Sequence, residues 1–186
     1  AGTDTVQSSV SITALATNVE NLTLTGNAAI NGTGNTGNNT LTGNSGNNTL
    51  DGGTGNDVLT GGAGRDLLTG GVGTDVFDYN NTSDSGVGAT NRDIITDFTQ
   101  GADKIDLSGI DASTGGGNGG DQAFKWLETT AFTNGNNGNS NGGLHYFYDA
   151  TNDVTVVEGS NDGDTAAEFQ VVLTGNITLT AADFVL

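Results

Sequence analysis

The chain has 186 residues, of which 22 are acidic and 4 basic, for a formal charge of −18. A fold this acidic repels itself unless cations neutralise it, and DNA, RNA and anionic membrane surfaces are poor partners because they carry the same sign. Cysteine is absent, which excludes disulfides and thiolate metal sites; glycine contributes 32 residues, proline none, and hydrophobic residues only 33%.

Low hydrophobicity with high charge borders on the disordered class. The glycines argue against disorder, because they recur in register. No apolar run reaches the length of a transmembrane helix, and no basic-then-apolar signal peptide opens the chain. Ala1 is not an initiator residue, so the expectation is a piece of something longer.

The opening residues read as the tail of a repeat, with Gly2, Asp4 and Val6 at its fourth, sixth and eighth positions. Further repeats are then expected upstream, and Asp4 is either a solvated terminus or an ion ligand. Asn21 to Thr25 alternates and predicts a strand. Residues 26–33 read as a degenerate turn.

From Gly34 the chain divides into five nine-residue windows: GNTGNNTLT, GNSGNNTLD, GGTGNDVLT, GGAGRDLLT and GGVGTDVFD. Position one is always glycine (Gly34, Gly43, Gly52, Gly61, Gly70), and so is position four (Gly37, Gly46, Gly55, Gly64, Gly73). Position six is Asn39, Asn48, Asp57, Asp66 and Asp75; position eight is Leu41, Leu50, Leu59, Leu68 and Phe77. Glycine tolerates the tight turn of the first six residues, and the last three form a short strand with position eight pointing inward. Turn plus strand is half a coil, so turns eighteen residues apart stack on one side. Asn39, Asp57 and Asp75 fall on one side, Asn48 and Asp66 on the other. Stacked coils lie roughly 4.8 Å apart, and carboxylates held that close repel unless a cation lies between them. Calcium suits an all-oxygen site that includes backbone carbonyls, whereas zinc would call for His or Cys.

These windows resemble the GGxGxDxUx repeat of the RTX family, and the last three match it fully. The resemblance implies an all-β fold, a right-handed parallel β-roll of nonapeptide repeats. It also implies a ligand rule: carbonyls two and four and side chain six of one turn, with carbonyls one and three and side chain six of the turn eighteen later. Carried over, one site is Gly53, Gly55, Asp57, Gly70, Val72 and Asp75. A second is Asn44, Gly46, Asn48, Gly61, Ala63 and Asp66; a third is Asn35, Gly37, Asn39, Gly52, Thr54 and Asp57. The same arithmetic sets Gly62, Gly64 and Asp66 against Tyr79, Asn81 and Asp84, and Gly71, Gly73 and Asp75 against Asp93. The first two windows depart, with Asn at positions two and six. Asparagine keeps a neutral oxygen, so those sites are expected to survive and bind more weakly.

After Asp78 the pattern changes. Asp93 to Phe98 and Asp103 to Ser108 read as short strands around a turn at Gly101, resembling the segment that follows the roll in serralysin-type C-terminal domains and alginate-epimerase modules. Asp97 and Asp103 read equally as further ligands or as turn and cap residues. Residues 113–121 and 133–143 are Gly/Asn-rich loops. Around them, Phe124–Leu127, Leu144–Tyr148, Val154–Val157 and Phe169–Leu173 predict antiparallel strands that cap the roll, with a hairpin turn at DATND. His145, the single histidine, reads as structural, and Trp126, Tyr146 and Tyr148 as core packing ahead of sugar stacking. The last residues, Asp183 to Leu186, resemble the tail of type I secretion substrates, and read equally as a final strand.

The expected organisation is a flank over 1–33, a calcium roll over 34–84, and a cap with a secretion signal over 85–186. The function implied is a non-catalytic calcium-binding module of a larger protein secreted by a Gram-negative bacterium, which folds on meeting calcium outside the cell. Its partners are then several calcium ions and, transiently, a type I exporter. The alternative is an adhesin or polysaccharide-binding module with a glycan or cell-surface partner, for which four cationic residues make a poor anion surface. The chain shows no HExxH, no GxSxG and no nucleophile–His–acid set, so any catalytic unit would lie upstream.

Overall fold

The computed structural model describes residues 2–110, 124–130, 142–161 and 166–186. The expected loop at 113–121 and residues 133–141 of the expected loop at 133–143 lie outside these residues; Gly143, the last of that loop, opens the strand Gly143–Asp149 instead. The described chain is all-β, with only two short 3-10 turns, Thr82–Asp84 and Ala181–Asp183.

Alternate half-coils feed two facing sheets. One contains β1 (Thr5–Ser8), β2 (Asn21–Leu24), β4 (Thr40–Thr42), β6 (Val58–Thr60), β8 (Val76–Asp78), β10 (Lys104–Asp106) and β15 (Phe184–Val185), each pair parallel. The other begins with β3 (Gly32–Thr33), β5 (Thr49–Thr54), β7 (Leu67–Val72) and β9 (Asp93–Ile95), again parallel. It continues through β14 (Phe169–Thr174), β13 (Val154–Ser160), β12 (Gly143–Asp149) and β11 (Lys125–Trp126).

The parallel register follows from the inward side chain of each repeat. Leu22, Leu41, Leu59, Phe77, Ile105 and Phe184 stack rung upon rung in the first sheet. Leu50, Leu68, Ile95 and Leu173 do so in the second. The two columns meet between the sheets, and the position-eight side chains from Leu41 to Phe77 are fully buried. Burying one such side chain contributes roughly 1.5–3 kcal/mol, so a narrow single-file core still holds the coils.

The ladder extends beyond the five windows at both ends. Val6 sits in register with Leu22. Residues 26–33, expected as turn alone, include the short strand β3, because Gly32 reaches the Leu50 rung. The later strands are antiparallel as expected across β12, β13 and β14, with the Asp149–Asp153 hairpin turn at their tip. They prolong the second sheet sideways instead of crossing its end, because β14 docks parallel on β9. β15 likewise covers the free side of β10. The last strands of the roll, β9 and β10, are thereby paired, and each sheet ends instead on a two-residue strand, β11 or β15, a short edge that offers little template for strand addition.

Candidate metal centre

The turns between the strands line up in two rows, one along each side of the roll. In the first row the backbone N–H of Asn39 donates to Asp57 Oδ1 (2.7 Å), that of Asp57 to Asp75 Oδ1 (2.8 Å), and that of Asp75 to Asp103 Oδ1 (2.9 Å). In the second row Asn48 N–H donates to Asp66 Oδ1 and Asp66 N–H to Asp93 Oδ1, both at 2.7 Å. Each position-six carboxylate thus clamps the coil before it.

The spacing is 18 residues as far as Asp66 and Asp75, then becomes 27 from Asp66 to Asp93 and 28 from Asp75 to Asp103. The eighteen-residue arithmetic, which set Asp84 against Asp66 and Asp93 against Asp75, therefore ends at the last window. The physical reason is the excursion over residues 79–92, a 3-10 turn and loop that leaves the ladder and returns at β9. Within it, Tyr79 is buried edge-on against Phe169, and Asp84 Oδ2 accepts the N–H groups of Asn80 and Asn81. The Tyr79 hydroxyl lies beside Asp93 and Asp66, and Ser83 and Gly86 line a pocket with Gly64. Asp84 stays close enough to add repulsion at Asp66 and Asp93.

Asp103 is the rung that eighteen-residue counting misses. Its signal is the Asp-x-apolar triplet: Asp103-Lys104-Ile105 repeats the form of Asp75-Val76-Phe77 and Asp93-Ile94-Ile95. Both of its oxygens are bonded, Oδ2 accepting Thr99 N–H at 2.8 Å. Asp97 bonds Gly70 N–H (3.0 Å) and Gly71 N–H (2.8 Å), a turn-closing role.

Four carboxylates differ. Asp57, Asp66, Asp75 and Asp93 are buried, and the Oδ2 of each has no hydrogen-bond partner. Burial is the main cause that raises their pKa, to about 7 for Asp66, about 6 for Asp75 and about 8 for Asp93, with Asp57 also raised. Neighbouring carboxylates add to it: Asp84 at Asp66; Asp103, Asp57 and Asp97 at Asp75; Asp66 and Asp84 at Asp93. A buried carboxylate oxygen left without a partner is costly, and its repetition at Asp57, Asp66 and Asp75, with Asp93 beside the buried Tyr79 hydroxyl, marks a place shaped for a cation.

The glycines make these clefts possible. A Cβ on Gly52 would stand 2.5 Å from Asp57 Oδ2 and 2.6 Å from the Gly70 carbonyl oxygen; one on Gly70 would stand 2.5 Å from Asp75 Oδ2. Positions two and four of the three Asp-bearing turns have positive φ, from Gly53 (98°) and Gly55 (125°) to Gly62, Gly64, Gly71 and Gly73. The carbonyls of Gly52, Thr54, Gly61, Ala63, Gly70 and Val72 belong to the same turns. Among the described residues no three His, Cys, Asp or Glu side chains converge on one point, so a cation here must draw on these backbone oxygens. One carboxylate oxygen with several carbonyls is a hard-oxygen set that fits calcium.

The Asn-bearing turns are built differently. Asn39 Oδ1 accepts Asn35 N–H (2.7 Å), and its Nδ2 donates to Val19 O (3.1 Å) and Glu20 O (3.2 Å). Asn48 Oδ1 accepts Asn44 N–H (2.8 Å), and its Nδ2 donates to Ile30 O at 2.6 Å. Neither amide is left without a partner.

Outside the rows, His145 is buried and its Nε2 lies 2.9 Å from Glu158 Oε2 across β12 and β13. Trp126 stacks on Tyr146 (5.7 Å, 12°) and packs on Phe184 (4.8 Å), which is core packing. Tyr148, expected in the core, is exposed instead, because it stands beside the hairpin turn and donates to Asp153 Oδ1 at 2.8 Å.

A family model described as Peptidase M10 serralysin C terminal matches residues 5–186. The chain is similar to the solution structure of the AlgE6R3 subunit of the mannuronan C5-epimerase of Azotobacter vinelandii, with a TM-score of 0.56 and 25% identity over 100% of this chain and 80% of that one. It is also similar to the AlgE6R2 subunit of the same epimerase, with a TM-score of 0.51 and 29% identity over 84% of this chain and 91% of that one. No curated protein sequence matches the chain.

Proposed function

This chain belongs to the serralysin C-terminal family, and on that premise we propose that it is a calcium-gated folding module of an exported protein. The observation that carries this reading is the set of four buried, unpartnered Oδ2 atoms at Asp57, Asp66, Asp75 and Asp93. Bound calcium supplies positive charge and takes up oxygen lone pairs. Around Asp57 the ligand rule names the carbonyls of Asn35, Gly37, Gly52 and Thr54, of which Asn35 O already accepts Thr54 N–H. Around Asp66 it names Asn44, Gly46, Gly61 and Ala63; around Asp75, Gly53, Gly55, Gly70 and Val72, of which Val72 O accepts Gly55 N–H; and beside Asp93, Gly62 and Gly64.

Without cations, closing the roll buries four carboxylates in a chain of charge −18. The open chain keeps them in water, so low calcium favours the unfolded form. A ligand that binds only the folded form shifts the balance toward folding as its concentration rises. Circular dichroism and scanning calorimetry in excess chelator and in millimolar calcium test this. A roll equally folded and equally heat-stable in both overturns the reading.

The C-terminal segment fits the second half of the proposal, a signal read before folding is complete. Asp183 Oδ1 accepts Gly101 N–H (2.9 Å), Lys104 Nζ donates to Ala182 O, and Phe184 is buried on the last rung. A tail that docks last remains legible to an exporter until then. Fusing residues 167–186 to a reporter in a type I exporting strain tests it, and a reporter retained in the cell counts against it.

A groove favours a second reading, a module that holds an anionic polysaccharide. Arg65 and Arg92 line it together with Ile94, Val154 and Val172. Titration with mannuronan separates the readings: binding lost in Arg65→Ala/Arg92→Ala supports a glycan site, and no binding leaves the folding module alone.

A further inference from the structure

We infer that the side-chain amides of Asn35, Asn39, Asn44 and Asn48 take the place of a cation in the two clefts between their own turns and the segments before them, residues 16–20 and 25–30, so that these two clefts hold no calcium. The inference rests on the calcium reading above and divides the turns into two kinds.

Asn39 and Asp57 occupy equivalent places on successive rungs. The Oδ2 of Asp57 lies beside position-one Gly52 and is unpartnered, whereas the atom in that place in Asn39, its Oδ1 beside Gly34, accepts Asn35 N–H; the branch that faces the preceding coil, Oδ1 in Asp57, is in Asn39 an NH2 group that bonds Val19 O and Glu20 O. Asn35, at position two, completes the closure: its Nδ2 donates to Ala16 O (2.9 Å) and Val19 O (2.8 Å). The other side repeats the device. Asn44 Nδ2 donates to Thr25 O (3.3 Å) and Ala28 O (3.0 Å), and Asn48 Nδ2 to Ile30 O (2.6 Å). The carbonyls of the preceding segment, which a cation would need, already accept amide protons. Those protons present positive dipole ends, which repel a cation.

A second observation is independent of the side-chain bonds. The positive-φ pair at positions two and four occurs in the three Asp-bearing turns and in neither Asn-bearing turn. There the Asn carbonyl closes the turn on its own chain, Gly37 N–H donating to Asn35 Oδ1 and Gly46 N–H to Asn44 Oδ1, both at 2.8 Å. The preceding segments also lack a free acid. Glu20, the acidic residue among 16–20 and 25–30, accepts Asp4 N–H at 2.8 Å.

The sequence provides its own test. Asn35→Gly with Asn39→Asp turns GNTGNN into GGTGND, the turn found at residues 52–57. Gly53→Asn with Asp57→Asn makes the reverse exchange. Calcium bound per chain is counted by native mass spectrometry and equilibrium dialysis on the full chain. The first variant is expected to bind one ion more than the parent, the second one ion fewer. An unchanged count in a folded first variant, or an undiminished count in a folded second one, overturns the inference. Should neither variant fold, through-hydrogen-bond NMR couplings in the calcium-loaded parent decide it. Couplings from Asn39 Nδ2 to the Val19 or Glu20 carbonyl support it, and their absence overturns it. A parent that binds no calcium at all removes the calcium reading itself, an outcome distinct from an unchanged count.

Discussion

Asparagine and aspartate have nearly the same shape, and in this roll they carry opposite instructions. The branch facing the preceding coil accepts an N–H in aspartate and donates to carbonyls in asparagine; the branch beside the position-one glycine accepts an N–H of its own turn in asparagine and is left without a partner in aspartate. Asp66→Asn should therefore change sign with conditions. In calcium it should cost about 1–3 kcal/mol, because one charged ligand is gone; in chelator it should stabilise the chain, because a buried, unpaired charge is gone. Paired calorimetric scans check this, and a loss of stability in both conditions contradicts it. Glu158 behaves as an ordinary partnered acid. Burial pushes its carboxyl up, but hydrogen bonds from His145 and Gln170, with the charges of His145 and Arg92, outweigh that and hold it below the usual glutamate range. A depressed carboxyl stabilises the fold above its unfolded value and loses that contribution as pH falls through its folded value. The stability difference between the parent and Glu158→Gln should therefore shrink as the pH falls below about 4.5. A difference that is flat across that range would show that the pair is not coupled to folding.

The element of this fold is the half-coil, six residues of turn and three of strand. Its inward leucine is the joint: Leu59 sits between Leu41 and Phe77 at zero exposure. Leu59→Ala should cost about 2–5 kcal/mol at saturating calcium, read from the denaturation midpoint, and a cost under about 1 kcal/mol would mean that metal and not packing holds the coil. The half-coil is also the unit that was legible in the sequence. Strict glycine at two positions, an amide or acid at the sixth and an apolar eighth predicted the turns, the strands, the two rows and the 18-residue register of the windows. What escaped was where counting depends on geometry that no periodicity encodes. The excursion after Tyr79 lengthens the spacing to 27 and 28 residues, so Asp93 and Asp103 became rungs while Asp84 became a cap of its own loop. The role of the asparagines escaped for another reason. Whether an amide acts through its oxygen or its nitrogen depends on the carbonyls of residues 16–30, which lie outside the repeat.

Across the whole molecule, two sheets share one thin core, and residues from Phe169 onward pair with the last rung of the roll in each, β14 on β9 and β15 on β10. Phe184→Ala should cost about 3 kcal/mol through lost burial on the Ile105 rung and against Trp126, and a change under about 1 kcal/mol would show the final strand to be dispensable. None of the helices among the described residues is long and apolar enough to cross a membrane. The clamps along the two rows share one polarity: each coil offers an N–H, and the coil that follows it supplies the receiving carboxylate. This makes assembly a matter of order in time. Every coil waits for its successor, so a chain whose last residues arrive first finds each latch in place before the next coil comes. A chain arriving in the opposite order must hold every coil unlatched until the one after it appears.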